Sequence, residues 1–195
     1  MTKPKFIFIV AAFFLVCLVC SIDSFGQAPN KQQTEPSYEV VLQVLIASNA
    51  ANDKSTVPPT LSNVVKKLKT TYSFSNYRVA STYLQRVANT GTVEFRSVST
   101  ETNQNNFAPI FSDWTLNGLQ SLINQRGQNS IQFQSFRFGQ RIPIRTASGV
   151  VNYEQVGLTI QRFGLPENTP TVIGTLSTSK SDELMFLILT VKPTE

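Results

Sequence analysis

From Tyr38 onward the chain is a succession of β-type segments broken by turn residues, and only one stretch carries a helical period. Tyr38 to Ile46 is rich in Val, Leu and Ile. Its apolar residues fall on both faces, with Val40, Leu42 and Val44 on one and Val41 and Leu45 on the other. A strand of this kind needs cover above and below, so it is expected at the centre of a sheet. After a loop at 47–59, Thr60 is placed to cap a helix running to Tyr72. Leu61, Val64, Val65, Leu68 and Tyr72 form one apolar stripe, and Lys66, Lys67 and Lys69 lie off it. Tyr77 to Ala88 alternates, Asn89-Thr90-Gly91 makes a turn, and Thr92 to Ser99 is the expected return strand of a hairpin, with the glycine supplying positive φ.

A polar stretch at 100–106 separates this strand-helix-hairpin module (38–99) from a β-rich region (107–195). In the latter, strands are expected at 107–111, 114–123, 129–138, 141–146, 151–163, 170–176 and 184–192, although 116–125 also reads as a short helix. Gly127, Gly139, Ser148-Gly149, Pro166 and Pro170 supply turn signals, and short strands at this spacing suggest a sandwich or an open barrel. The fold class expected is α+β, mainly antiparallel β with the small strand-helix-hairpin module. Trp114, the single tryptophan, reads as a core or junction residue, with Asp113 before it marking a turn.

The first 28 residues have a different character. Lys3 and Lys5 precede an apolar run from Phe6 to Cys20, and a more polar stretch, Ser21 to Ala28, follows. This is the layout of a secretory signal peptide. Small residues satisfy the cleavage rule after Ala28, the point preferred here, and after Gly26. The rival reading is a retained anchor, but the run is shorter than the roughly 20 apolar residues that span a bilayer. Residues 29–37, with two prolines, read as a linker.

Export bounds the chemistry. The full chain has 17 basic and 12 acidic residues, and cleavage after Ala28 removes Lys3, Lys5 and Asp23, leaving 15 against 11, a net charge of +4. Both cysteines, Cys17 and Cys20, leave with the signal, and histidine is absent throughout. No disulfide, thiol nucleophile, His-based triad or His-ligated metal is then available to the remaining chain. The lack of any Asn-x-Ser/Thr sequon fits an exported bacterial protein better than a eukaryotic secreted one. At this size a chain removes about 70% of its unfolded surface from water, so it needs no covalent staple.

Positive candidates for catalysis are few. Ser177-Thr178-Ser179-Lys180 matches the Ser-x-x-Lys pattern of penicillin-binding enzymes, but it falls between two strands and has no companion motifs. Asp182 and Glu183 are adjacent and would point to opposite faces of a strand. No phosphate loop or calcium loop is present. The expectation is no catalytic, cofactor or metal residue. Arg126, Arg137, Arg141, Arg145 and Arg162 make the β-rich region basic, with Phe133, Phe136 and Phe138 among them. That mixture suits a nucleic-acid surface, but export and the modest charge argue against one. A basic face toward anionic lipid of the outer membrane or toward peptidoglycan is the alternative.

Three local patterns give the β-rich region a family resemblance. They are Phe138-Gly139-Gln140-Arg141-Ile142-Pro143-Ile144, then Val151-Asn152-Tyr153-Glu154-Gln155-Val156-Gly157-Leu158-Thr159-Ile160, then Thr169-Pro170-Thr171-Val172-Ile173-Gly174-Thr175-Leu176 joined to Glu183-Leu184 and the final apolar strand. In type and order they resemble the C-terminal core of bacterial secretins, the ring channels of type II and type III secretion and type IV pili. The patterns cover residues 137–193. Gly174-Thr175 stands where the family usually has Gly-Gly, and only Ser177 to Ser181 occupies the place of its long gate segment. The resemblance therefore implies a secretin-like β fold and a role in a secretion or pilus system by protein–protein assembly, with envelope proteins or further copies of itself as partners. It does not imply an open pore. A monomeric periplasmic binding or adhesion module is the alternative.

Overall fold

β1 (Ser37–Ser48) sets the layering, because both of its faces are apolar. The computed structural model describes residues 36–50, 55–99, 108–123, 127–145, 151–177 and 182–194. It places β1 antiparallel between β2 (Asn76–Ala88) and β9 (Glu183–Thr194), with β8 (Thr171–Ser177) beyond β9. This is the first sheet. Tyr38, Val40, Leu42 and Val44 of β1, with Met185, Leu187, Leu189 and Val191 of β9, enter the main core on one face. Leu45 and Ala47, with Phe186 and Ile188, enter a second cluster on the other.

That second cluster is closed by α1 (Ser62–Thr71). The expected stripe is the buried one: Leu61, Val64, Val65 and Leu68 pack on Leu45, Phe186 and Ile188, and Tyr72 packs beside them. The start of the helix departs from expectation. Thr60 makes no cap; it lies inside a 3₁₀ turn, Pro59–Leu61, that leads into α1, and neither element has a side-chain cap. Proline at the head of the turn fixes φ and has no N–H to satisfy, and Leu61 N–H bonds Pro58 O at 3.0 Å, so the entry is held without a capping hydroxyl.

The second sheet contains β3 (Thr92–Ser99), β4 (Ile110–Asn117), β5 (Gln120–Ile123), β6 (Asn129–Arg145) and β7 (Val151–Pro166), all antiparallel. β6 runs through the middle. β4 and β5 share one of its edges, β7 takes the other, and β3 lies outside β4. Trp114, Leu116, Ile131, Phe133, Phe136 and Phe138 point toward the first sheet and complete the main core. Among the described residues the fold is thus mainly antiparallel β with one short helix, as the sequence indicated.

The hairpin expected at 77–99 is not formed. The turn at 89–91 exists, with Gly91 N–H bonded to Ala88 O at 3.0 Å, but β2 pairs with β1 and β3 pairs with β4. The turn carries the chain from one sheet to the other. It is tied to both: Asn89 N–H donates to Pro36 O at 2.9 Å and Thr90 N–H donates to Leu119 O at 2.7 Å. The positive φ falls on Thr90, at 60°, and not on the glycine. A matching crossing at 167–170 returns the chain, with Asn168 at φ 56° and its N–H on Val191 O at 2.8 Å. Between the two crossings the second sheet is one continuous length of sequence, and the two ends of the chain build the first. The polar stretch at 100–106 falls between β3 and β4, which pair with each other.

Three further expectations change. The break at Gly139 is absent, since 129–145 is one strand. The break at 112–113 is absent as well, so Asp113 sits in mid-strand and marks no turn. Residues 116–123 are strand in two pieces, not helix. Continuity at Ser112 has a visible support, because Gln140 Nε2 donates to Ser112 Oγ at 3.0 Å across β4 and β6 in a buried position. Ser37, assigned to the linker, begins β1. Ala28, Gly26 and the rest of the expected signal lie outside the described residues, as do Gly149, Arg126 and Lys180.

Candidate functional site

The β6–β7 hairpin is the longest regular feature among the described residues, with strands of 17 and 16 residues. At ~3.3 Å per residue each strand extends about 55 Å. β4 accompanies β6 only as far as the Phe111–Arg141 pair. Beyond it Ile142 to Arg145 pair with Val151 to Glu154 and, among the described residues, with no other strand. Pro143 lies in this part, where β6 has a described partner on one side alone, the kind of edge position to which proline is confined in sheets. The far edge of β7 joins no ladder among the described residues. The edge of β3 is open likewise. Across β3, β4, β6 and β7 the directions alternate, so the two open edges run in opposite senses.

Period-two alternation decides which side chains the second sheet shows to solvent. Phe136 and Phe138 point into the core, whereas Arg137 and Arg141 point out. Along β6 the inward phase slips by one residue between Phe133 and Phe136, and along β7 between Phe163 and Ile160. Arg162, with φ 48°, stands at the slip. Because both strands slip together, Phe133, Phe136 and Phe163 all reach the same core, where Phe163 stacks on Phe133 with centroids 4.9 Å apart and meets Phe136 edge-on at 6.5 Å. Arg137 and Arg141 therefore lie on the opposite face from Phe133, Phe136 and Phe138. The expected phenylalanines offer no stacking surface beside the arginines.

On the outward face three cross-strand rows lie side by side. Glu94, Thr115, Arg137 and Thr159 form the first, and Arg96, Asp113, Gly139 and Gly157 the second. Val98, Phe111, Arg141 and Gln155 form the third. The middle row has no side chain on β6 or β7, and the flanking rows stand up on either side of it. On the β3 and β4 side of this face lies a hollow of about 610 Å³, lined by Glu94 to Val98, by Phe111 to Thr115 and by Arg137, Arg141 and Gln155. The two glycines are required by close approach. A Cβ on Gly157 would lie 2.6 Å from the Phe138 carbonyl oxygen, and one on Gly139 would lie 2.9 Å from Asp113 Oδ1. Asp113 thus leans its carboxylate over Gly139, between Arg137 and Arg141.

The charges are arranged unequally. Arg96 bonds Glu94 at 2.8 Å on an exposed part of β3. Arg141 lies over the Phe111 ring, its Cζ 4.7 Å from the centroid, and Tyr153 meets the other edge of Phe111 at 5.7 Å. Arg137 and Asp113 close no ion pair among the described residues. Phe111, Tyr153 and Asp113 were not picked out from the sequence as members of a site. The alternation of Phe111, Asp113 and Thr115 was readable there, but which residues stand across from them depends on register.

The Ser-x-x-Lys pattern gains no support from its surroundings. Ser177 is the last residue of strand β8, not the first of a buried helix. Among the described residues no cluster of three His, Cys, Asp or Glu side chains is placed to hold a metal ion. Among the same residues no helix is long and apolar enough to cross a membrane, which leaves β-barrel spans unaddressed.

No family model matches the chain, and no curated protein sequence matches it. Among solved structures it is similar to the Salmonella SPI-1 type III secretion injectisome secretin InvG in the open gate state. The TM-score is 0.38 and the identity 11%, over 95% of this chain and 65% of that one. It is also similar to the type II secretin GspD of enteropathogenic Escherichia coli, with a TM-score of 0.35 and 11% identity over 82% of this chain and 66% of that one. The chain spans just under two thirds of each.

Proposed function

We propose that this chain is an exported, non-enzymatic component of the bacterial envelope, a short secretin-like protein of a secretion or pilus system that works by protein–protein assembly. Its signal is removed after Ala28, and the mature chain acts in the periplasm or at the outer membrane. The observation that carries the reading is the open edge of β7. An edge strand of 16 residues leaves a row of N–H and C=O groups for another chain to pair with. The opposed directions of β7 and β3 make the contact self-propagating. β7 of one copy beside β3 of the next continues the antiparallel order, a head-to-tail contact that closes into a ring if the rotation per copy allows. The ordered motifs at 137–193 support the same reading. Light scattering after size exclusion on residues 29–195 tests it. A discrete multimer of many copies is expected. A monomer at all concentrations would remove self-assembly as the mechanism.

The second reading, a monomeric periplasmic binding module, is favoured by the hollow on the outward face of the second sheet. It predicts a monomer whose ligand binding is lost on substitution of the hollow and unaffected by changes on the β7 edge.

A further inference from the structure

We infer that the hollow lined by Asp113, Arg137 and Arg141 is a binding site for a zwitterionic group in which a phosphate stands next to a primary amine, as in phosphoethanolamine. The inference is independent of the assembly reading. Arg137 and Arg141 flank Gly139 on β6, four residues apart and so ~13 Å between Cα atoms on an extended strand. Both point outward, on either side of Gly139 and of the Asp113 carboxylate that lies over it. Two guanidinium groups approaching from opposite sides need acceptor oxygens that face both ways. A tetrahedral phosphate has them, whereas a planar carboxylate is met by one bidentate arginine.

Asp113 sets the rest of the ligand. A site for a plain anion gains nothing from a carboxylate in its centre. Here one lies over Gly139, between the two arginines, and pairs with neither; Arg96, directly across the strand from it, is engaged by Glu94. A ligand with an ammonium close to its phosphate turns that carboxylate from a repulsive neighbour into a partner. The phosphate then sits between the two arginines, and the amine meets Asp113. Phe111 holds Arg141 from below by a cation–π contact, which limits the freedom the arginine would lose on binding.

Calorimetric titration of the full chain with O-phosphoethanolamine, and separately with inorganic phosphate, tests the site. Phosphoethanolamine is expected to saturate and to bind about tenfold more tightly than phosphate, the effect of one added charge-assisted contact. Arg137→Ala and Arg141→Ala are each expected to weaken it by about tenfold, and Asp113→Asn to remove the preference for phosphoethanolamine while leaving phosphate unchanged. Equal affinity for the two ligands overturns the inference, as does binding that both arginine substitutions leave untouched. Vesicles of phosphatidylethanolamine separate the sources of the group. Sedimentation that free phosphoethanolamine reverses assigns it to a lipid headgroup. Binding of the free compound without sedimentation assigns it to a soluble carrier. Sedimentation that free phosphoethanolamine does not reverse places the contact elsewhere and overturns the site.

Discussion

The two sheets share one core but differ in what lies behind them. The first is covered on both faces, by the second sheet on one and by α1 on the other. Its central strands are accordingly near-continuous apolar runs, with Leu184 to Leu189 unbroken in β9. The second sheet is covered on one face only, and its strands alternate. β4 buries Ile110, Ser112, Trp114 and Leu116 and turns Phe111, Asp113 and Thr115 outward. The doubly covered sheet has no side chain to spare for chemistry at its centre. The singly covered one can vary its outer residues at little cost to the core, and there the arginines, the carboxylate and the hollow they line are found. Framework and interaction surface are thus divided by sheet, and the division follows from where the helix sits.

Substitutions that compare the second faces of the two sheets put this to the test. Ile188, fully buried beneath α1, is expected to cost ~2–5 kcal/mol as Ile188→Ala, measured as a shift in urea midpoint, because the helix and sheet cannot close over the lost volume. A cost below about 1 kcal/mol would mean that the helix layer contributes little to closing the first sheet, and the contrast would fail.

An intermediate effect is expected at Tyr77, whose hydroxyl is buried under α1 without a hydrogen-bond partner. Burial and the neighbouring Tyr72 push its phenol above the ordinary value of 10.0. The folded state therefore holds the proton at a pH where the unfolded chain releases it. The contribution of this group to stability is complete below pH 10.0, falls as pH rises above that value, and is lost once the folded group also ionises. Tyr77→Phe is expected to stabilise the protein by about 1 kcal/mol at neutral pH, since it removes an unsatisfied buried hydroxyl, and to flatten the alkaline fall. Urea midpoints collected from pH 8 to pH 11, on the order of the phenol range, show both. A steep alkaline fall retained in Tyr77→Phe would assign the titration to another group.

The smallest effect is expected on the outward face of the second sheet. Arg96→Ala breaks the bond to Glu94, but both side chains are well exposed, and the change in stability should stay within about 0.5 kcal/mol. A larger loss would show that the outer rows hold the sheet together, and the separation between framework and surface would have to be redrawn.

Periodicity and composition made part of this legible. The apolar residues on both faces of Tyr38 to Ile46 pointed to a central strand, which β1 is. The stripe from Leu61 to Leu68 marked the buried side of the only helix among the described residues. The alternation in β2 and β3 was also readable, and it misled about their pairing. A turn such as Asn89-Thr90-Gly91 specifies a reversal of the chain but not which neighbour each arm will bond. That choice was made by Pro36 O and Leu119 O, remote in sequence, which bind the turn to two different sheets. Gly139 shows the same limit. As a turn signal it suggested a break, yet the strand runs through it, because its smallness answers the Asp113 side chain one strand away.

The sequence by itself determined the class of the fold, the position of the helix and which strands are buried on both faces, because these depend on period and polarity within one segment. It also confined the chemistry, since a chain without histidine and without cysteine beyond residue 20 has few reactive groups to arrange. The tertiary structure alone brings Arg137, Arg141 and Asp113 into one hollow and leaves β7 at the end of a sheet. Both depend on register and strand order, which are set by contacts between segments far apart in the chain.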